Sequence, residues 1–294
     1  MSIAWVFPGQ GSQKTGMADP VLSLPGAEER FALASNLLGR DLLKICRGEG
    51  SDADSPSDLN DTRNTQPALF AVESLIVDEL LRQGRQPDLV AGHSLGELVA
   101  LYAAGVFDAA TGLELMQRRS ELMASAGGGA MTAVIGFDRS QLETLVDATE
   151  GVVIANDNSD AQVVLSGSPE AVNALSEALT CKRAIPLAVS GAFHSPFMAK
   201  AADAFASHLD SVAFADARFP VFSNTDPTPS RDAGELKQRL RRQMTTGVRW
   251  RETMAAMTSS GVETLVEIGP GNVLSGLAKR SMKGVTTSQL ASVG

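Results

Sequence analysis

A serine hydroxyl can act as a nucleophile when the backbone lifts it clear of its neighbours. Residues 92–96, Gly-His-Ser-Leu-Gly, have the composition to do this to Ser94. The preceding apolar run, Asp88-Leu-Val-Ala, reads as a buried strand, and Leu95–Ala104 reads as a helix. Gly92 and Gly96 flank a turn too sharp for side chains, which thrusts Ser94 out at the C-terminal end of the strand. The same turn sets it at a helix N-terminus, where unpaired N–H groups favour negative charge on a nearby oxygen. Gly-x-Ser-x-Gly strings also arise by chance in a chain with 27 glycines, so the strand-turn-helix context carries the reading.

A serine nucleophile needs a base within hydrogen-bond reach and a group to orient that base. Only three histidines exist, His93, His194 and His208. His194 is the expected base, because it follows a predicted strand at the start of a helix, in Gly191-Ala-Phe-His-Ser-Pro196. His93 adjoins the nucleophile, and neighbours on a sharp turn point apart, so it reads as structural or as pocket wall. His208 falls in an amphipathic helix over 201–209 and reads as an ordinary packing residue.

The oxyanion of acyl transfer needs two donors. The Leu95 N–H is one by the geometry of the elbow. The loop Pro8-Gly-Gln-Gly-Ser-Gln13, just after the first strand, is the candidate for the other, since its glycines let amides approach closely. Its spacing alone fits a tight turn with no ligand as well. An α/β-hydrolase would place an acid between serine and histidine, with the histidine near the C-terminus. Here His194 lies mid-chain and no acid before it stands out. Asp157 and Asp160 sit in an Asn/Asp/Ser cluster that turn chemistry explains.

These groups must be held by a scaffold. A first strand at Ile3–Phe7 is followed by helices near 27–38 and 65–83, with an acidic surface loop from Gly48 to Asp61 between them. The strand and helix around Ser94 come next, then a helix over Ala109–Ala124. After Gly127-Gly-Gly129 the pattern changes. Strands at 130–136, 152–155, 162–166 and 183–189 alternate with helices at 140–148 and 169–179, the β-α-β-β-α-β order of a ferredoxin-like unit. The expected fold is thus α/β, a larger α/β-hydrolase-like domain with a parallel sheet (1–127 and 190–294) and an inserted small domain (128–189). Beyond 190 the larger unit resumes with a helix from about 195, a strand near 220–223, helices near 233–244 and 250–259, a strand at 264–267 and a last helix.

The 294 residues are 44% hydrophobic and 20% charged, enough for a sizeable core plus a second unit. Apolar stretches fall short of membrane-spanning length, and the N-terminal residues lack the features of a signal peptide, so a cytoplasmic protein with no membrane contact is expected. A net charge of −9 argues against nucleic acid as a partner. Cys46 and Cys181 form no metal or redox spacing, and three histidines make a multi-histidine metal site improbable, so no metal is expected.

Phe7-Pro-Gly-Gln-Gly-Ser-Gln13, Gly92-His-Ser-Leu-Gly-Glu97, Gly191-Ala-Phe-His194 and Glu267-Ile-Gly-Pro-Gly271, in this order, resemble the motifs of malonyl-CoA:acyl-carrier-protein transacylases and the related acyltransferase domains of polyketide and fatty acid synthases. The resemblance runs from about residue 3 to 280. It implies that Ser94 carries the acyl group as an ester and that His194 is base and then acid. It further implies that the backbone carbonyl of Gln243 orients the histidine in place of an aspartate, and that the N–H groups of Gln10 and Leu95 form the oxyanion hole. Arg119, 25 residues after Ser94, matches the family arginine that grips the malonyl carboxylate. Spacing alone would make Arg118-Arg119 a solvated helix end. His93 and Phe193 would line the substrate pocket, and a bulky Phe193 would leave little room for an α-methyl group. Ser120 stands where many members have Gly, and the Gly191 position is often Pro, Val or His, which touches substrate purity and no reacting group.

The implied reaction is a ping-pong transfer from malonyl-CoA to the phosphopantetheine thiol of an acyl carrier protein, with no bound cofactor, supplying fatty acid synthesis. A free-standing polyketide-type acyltransferase, a serine hydrolase or thioesterase, and a catalytically silent acyl-binding scaffold are the alternatives. Carrier proteins are usually acidic, so docking needs a basic surface. Lys237, Arg239, Arg241, Arg242, Arg249 and Arg251 form the densest cluster, with Lys279, Arg280 and Lys283 second, although each residue also fits a solvated helix face. A monomer is the default oligomeric state.

Overall fold

The first strand expected from the sequence lies at the centre of a parallel sheet. The structure, a computed structural model, describes residues 2–49, 58–189 and 191–293. Strands β1 (Ser2–Phe7), β2 (Leu89–Gly92), β7 (Val221–Phe222), β8 (Val262–Ile268) and β9 (Thr286–Leu290) form this sheet in the order β7-β2-β1-β8-β9, every pair parallel. A parallel sheet is covered on both faces, and alternate residues of β1 accordingly enter different cores. Trp5 and Phe7 pack with Phe31, Phe70 and Leu98, whereas Ala4 and Val6 pack with Trp250, Met254 and Leu274.

Residues 130–186 build a second sheet of β3 (Ala130–Phe137), β4 (Val152–Ser159), β5 (Gln162–Gly167) and β6 (Cys181–Pro186), ordered β4-β5-β3-β6 and antiparallel throughout. Helices Arg139–Ala148 and Pro169–Ala178 supply Leu142, Val172 and Leu175 to a core with Val134, Val163 and Leu165. This order is consistent with the ferredoxin-like expectation. The entry and exit of the segment meet at a Gly127–Gly191 bridge. A Cβ on Gly129 would lie 2.3 Å from the Ala192 nitrogen, which accounts for glycine at that position.

Three local expectations change. Most of the 156–160 cluster is strand and only Asp160 turns: β4 continues to Ser159, because Asp157 N–H bonds Val248 O (2.9 Å) and Val248 N–H bonds Ala155 O (2.7 Å). Pairing with a distant segment overrides the local turn preference of Asn and Asp. The strand expected at 183–189 is β6 at 181–186. Helix Leu42–Arg47, capped by Asp41 on the Lys44 N–H, and the polar strand β9 were not expected. Of the predicted 48–61 loop, residues 50–57 lie outside the described residues.

Candidate active site

The elbow forms where β2 ends. Ser94 has φ +54°, one of two non-glycine residues with positive φ among those described; the other is His194, at +55°. Such conformations cost on the order of 1–3 kcal/mol and persist only where surrounding structure enforces them. The glycines are obligatory here, since a Cβ on Gly92 would come within 1.9 Å of the Gly96 backbone, and one on Gly96 within 2.2 Å of Phe7 O.

Ser94 Oγ lies 2.7 Å from His194 Nε2. His194 Nδ1 lies 3.0 Å from Gln243 O, which can only accept, so Nδ1 carries the proton and Nε2 is free to take one from Ser94. His194 is almost fully buried. Burial first, and then the Arg119 charge, hold its pKa down at about 3, while the bond to Gln243 O pushes it back up. The imidazole is therefore neutral at physiological pH and ready to act as a base.

Arg119 is not a solvated helix end. It sits within helix Ala109–Ser125 with no exposure. Nη1 donates to Gln66 Oε1 (2.7 Å), and Nη2 donates to Gln243 Oε1 (2.9 Å) and Ser94 Oγ (3.2 Å), while Nε has no partner among the described residues. Burial lowers its pKa to about 10 and buried Glu97 opposes that shift, so it remains a cation with donors to spare. The N–H groups of Gln10 and Leu95 make no hydrogen bond among the described residues. Both residues line the same narrow cavity of about 90 Å³ as Ser94, Arg119, His93, Phe193 and His194. His93 lines this cavity from the nucleophile's neighbouring position, held by Asn158 Oδ1 (2.8 Å) and an edge contact with Trp250. Ser94, His194, Arg119, Gln10 and Leu95 thus converge on one cavity that offers a hydroxyl, a neutral imidazole, a guanidinium and two backbone amides to whatever enters it.

Known proteins share this fold. A family model described as "Acyl transferase domain" matches residues 4–294. The chain belongs to this acyltransferase family. The malonyl CoA-acyl carrier protein transacylase of Synechocystis sp. is 50% identical over 96% of this chain and 94% of its own length. The crystal structure of a Synechocystis sp. malonyl-CoA:ACP transacylase superposes with a TM-score of 0.94 at 47% identity, covering 100% of this chain and 98% of that one. The matched chain in a structure of a type II polyketide acyl-carrier protein in complex with its malonyl-transacylase superposes with a TM-score of 0.92 at 38% identity, covering 100% of this chain and 97% of that one.

Several residues of this acyltransferase site carried little signal. Gln66 belongs to Asn64-Thr-Gln66, a polar run on an otherwise apolar buried helix, which was its only clue. Asn156 lines the cavity with a buried Oδ1 that has no partner among the described residues, and its place in the turn-like cluster concealed it. Asn224 accepts the Ser94 N–H (2.7 Å) across a separation of 130 residues, and nothing in the sequence marks it.

The predicted basic cluster needs correction. Arg239 is buried and paired with Asp226 and Glu235, which removes it from any docking surface. Arg241, Arg249 and Arg251 are held by Asp210, Glu252 and Asp157, and Lys237 Nζ donates to Val212 O. Arg242 alone of the six is exposed. Lys182 and Arg183 on β6 are exposed and in no ion pair among the described residues, and the same stretch of chain runs on to Leu187 and Val189 in the cavity wall. A more open groove of about 570 Å³ near Phe31 and Arg40 brings together no nucleophile and base. Among the described residues, no group of three His, Cys, Asp or Glu side chains could hold a metal, and no helix is long and apolar enough to cross a membrane.

Proposed function

We propose that this acyltransferase moves a malonyl group from malonyl-CoA to the phosphopantetheine thiol of an acyl carrier protein, through a malonyl ester on Ser94. The observation that carries the reading is the placement of a buried guanidinium 3.2 Å from an Oγ that is itself 2.7 Å from a neutral imidazole. Nε2 of His194 takes the Ser94 proton as Oγ attacks the thioester carbonyl. The N–H groups of Gln10 and Leu95 receive the oxyanion, each such donor contributing about 3 kcal/mol to the transition state. The departing CoA sulfur takes the proton from His194; the carrier thiol then gives its proton to Nε2 as its sulfur attacks the ester carbonyl, and His194 passes that proton to Ser94 Oγ as the ester bond breaks. Domains of 1–127 with 190–294 and of 128–189 would meet over this cleft and limit water access.

Arg119 acts twice in this scheme. It pairs with the malonyl carboxylate, a fork-to-carboxylate match. Burial and then its charge depress His194, so the incoming carboxylate offsets the second of these and lifts the basicity of His194 in part. A simple acyl chain brings no such compensation and leaves the base weak. Phe193 restricts the space beside the base, and Asn156 Oδ1 offers an acceptor to an amide N–H of the pantetheine arm.

The malonyl units would supply chain elongation of the fatty acid type. The likeness to a polyketide transacylase bound to its carrier favours the polyketide route as a second reading. Carrier docking is assigned to Lys182, Arg183 and Arg242 in place of the six-residue cluster. The enzyme is read as a cytoplasmic monomer using only its two thiol-linked substrates. The test is mass spectrometry of the intact protein after brief exposure to malonyl-CoA, followed by peptide mapping. One malonyl adduct on Ser94, absent from Ser94→Ala, is expected. No adduct with continued CoA release would favour a hydrolase, and no reaction a silent scaffold.

A further inference from the structure

The strained conformation of Ser94 requires something to enforce it. The ladder of the sheet cannot, because pairing between β1 and β2 ends at Gly92 and the last bond there is His93 N–H to Phe7 O (2.9 Å). Beyond that point three main-chain groups flanking the nucleophile are met by side chains from far along the chain. Asn224, just past β7, accepts the Ser94 N–H on Oδ1 (2.7 Å) and donates from Nδ2 to Gly92 O (2.5 Å). Gln243 Nε2 donates to Ser94 O (2.9 Å).

Both residues are tied to one buried carboxylate, Asn224 through its main chain and Gln243 through its side chain. Glu97 Oε2 accepts the Asn224 N–H (3.0 Å) and Gln243 Nε2 (2.7 Å). Glu97, Asn224 and Gln243 are each at most 2% exposed. Burying a carboxylate is costly unless it is paired and hydrogen-bonded, and burial accordingly raises the Glu97 pKa while the bonds from Asn224 and Gln243 oppose that shift. Gln243 also holds His194 through its carbonyl and Arg119 through Oε1, so the same cluster reaches nucleophile, base and guanidinium.

We propose that Asn224 and Glu97 form a bracket that holds the Ser94 backbone in its left-handed conformation, which makes Asn224 a positioning residue for acyl transfer. One carboxamide spans both sides of the elbow, so it sets the direction in which Oγ leaves the turn. Without it, the Ser94 N–H and the Gly92 carbonyl lose their partners, and the turn relaxes toward a commoner conformation. Oγ then moves away from both His194 Nε2 and the thioester carbon. Glu97 holds the bracket from behind and touches no reacting group.

The inference rests on Ser94 being the nucleophile, and Ser94→Ala tests that separately: an adduct persisting in Ser94→Ala would overturn the nucleophile assignment and leave the elbow geometry untouched. For the bracket itself, the single-turnover rate of Ser94 acylation by malonyl-CoA is compared in native protein and Asn224→Ala. Displacing a reacting atom by about 1 Å costs on the order of 100-fold. The acylation rate at saturating malonyl-CoA should therefore fall ~10- to 100-fold, with the half-saturating concentration little changed because Arg119 and the cavity walls are intact. The acid limb set by His194 should not move, and the ¹⁵N-serine spectrum should show the Ser94 amide shifting upfield as it loses its acceptor. Asn224→Asp keeps the acceptor for Ser94 but sets an oxygen in place of the donor to Gly92, and its acylation rate should also fall; it serves if the Ala variant does not fold. A native acylation rate in either folded variant, or a loss confined to half-saturation, would overturn the bracket.

Discussion

Replacing Arg119 with alanine would remove the group proposed to distinguish a malonyl group from a plain acyl chain. The guanidinium has no exposure and commits N–H groups to Gln66, Gln243 and Ser94, with Nε unengaged. A carboxylate entering the cavity meets donors that are already desolvated and oriented. Hydrogen bonds to charged groups contribute about 1.5–3 kcal/mol each, so losing a bidentate pair removes about 3–6 kcal/mol. At about 1.4 kcal/mol per factor of ten, malonyl loading measured as kcat/KM should fall by ~10²- to 10⁴-fold. Acetyl-CoA has no carboxylate to lose, and it meets a His194 relieved of the Arg119 charge. The malonyl-to-acetyl preference should thus fall at least as far as malonyl loading itself. The assay is competition: equal malonyl-CoA and acetyl-CoA, a rapid acid quench, and the ratio of the two adducts by intact mass. Thermal melting checks that the variant is folded, since Glu97 loses its opposing charge. An unchanged adduct ratio in folded Arg119→Ala would refute the carboxylate clamp.

Three further outcomes follow from the structure. The free-enzyme kcat/KM for malonyl-CoA should keep its acid limb well below the ordinary histidine value of about 6.5, because His194 is held near 3 and only its neutral form accepts the Ser94 proton; a limb at or above 6.5 in the pH profile would contradict this. Glu73 is fully buried with neither carboxyl oxygen partnered among the described residues, and burial and then Glu267 push its pKa well above the ordinary carboxylate range. The folded state then retains a proton that the unfolded chain releases above pH ~4.5, so stability declines as pH rises by up to about 1.4 kcal/mol per unit. Glu73→Gln should remove that slope in urea titrations between pH 5 and 8, and an identical slope in the variant would sink the assignment. Reversing charge at Lys182 and Arg183 should weaken use of an acidic carrier protein, increasingly so at low salt, and leave CoA-dependent acylation of Ser94 intact; equal loss of both half-reactions would argue against docking there.

The parts of this site that were legible in the sequence are those whose chemistry is local. Gly92, Gly96 and Ser94 announce an elbow because adjacent residues impose its sterics, and β1 and β2 read as strands from their apolar runs. His194 stood out by scarcity. Arg119 could be placed only through motif order, because an arginine on an amphipathic helix looks solvated until its three polar partners are known, and those lie 25, 53 and 124 residues away. The Asn156–Ser159 segment misled for the same reason: its turn-forming composition yields to pairing with Val248, which brings Asn156 to the cavity and Asn158 to His93. The basic cluster misled because sequence proximity among arginines says nothing of acids such as Asp210 and Asp157 that fold against them. Asn224 was invisible, as its role depends on two strands being neighbours.

The central claim is that Ser94 passes a malonyl group between two thiols and does not surrender it to water. The direct measurement starts from isolated malonyl-enzyme, freed of CoA, and follows loss of the adduct by intact mass with and without holo-carrier protein. Rapid discharge on adding the carrier, with malonyl appearing on its phosphopantetheine thiol and slow decay in buffer alone, is the predicted result. Discharge at the same rate in buffer, with free malonate as the product, would contradict it.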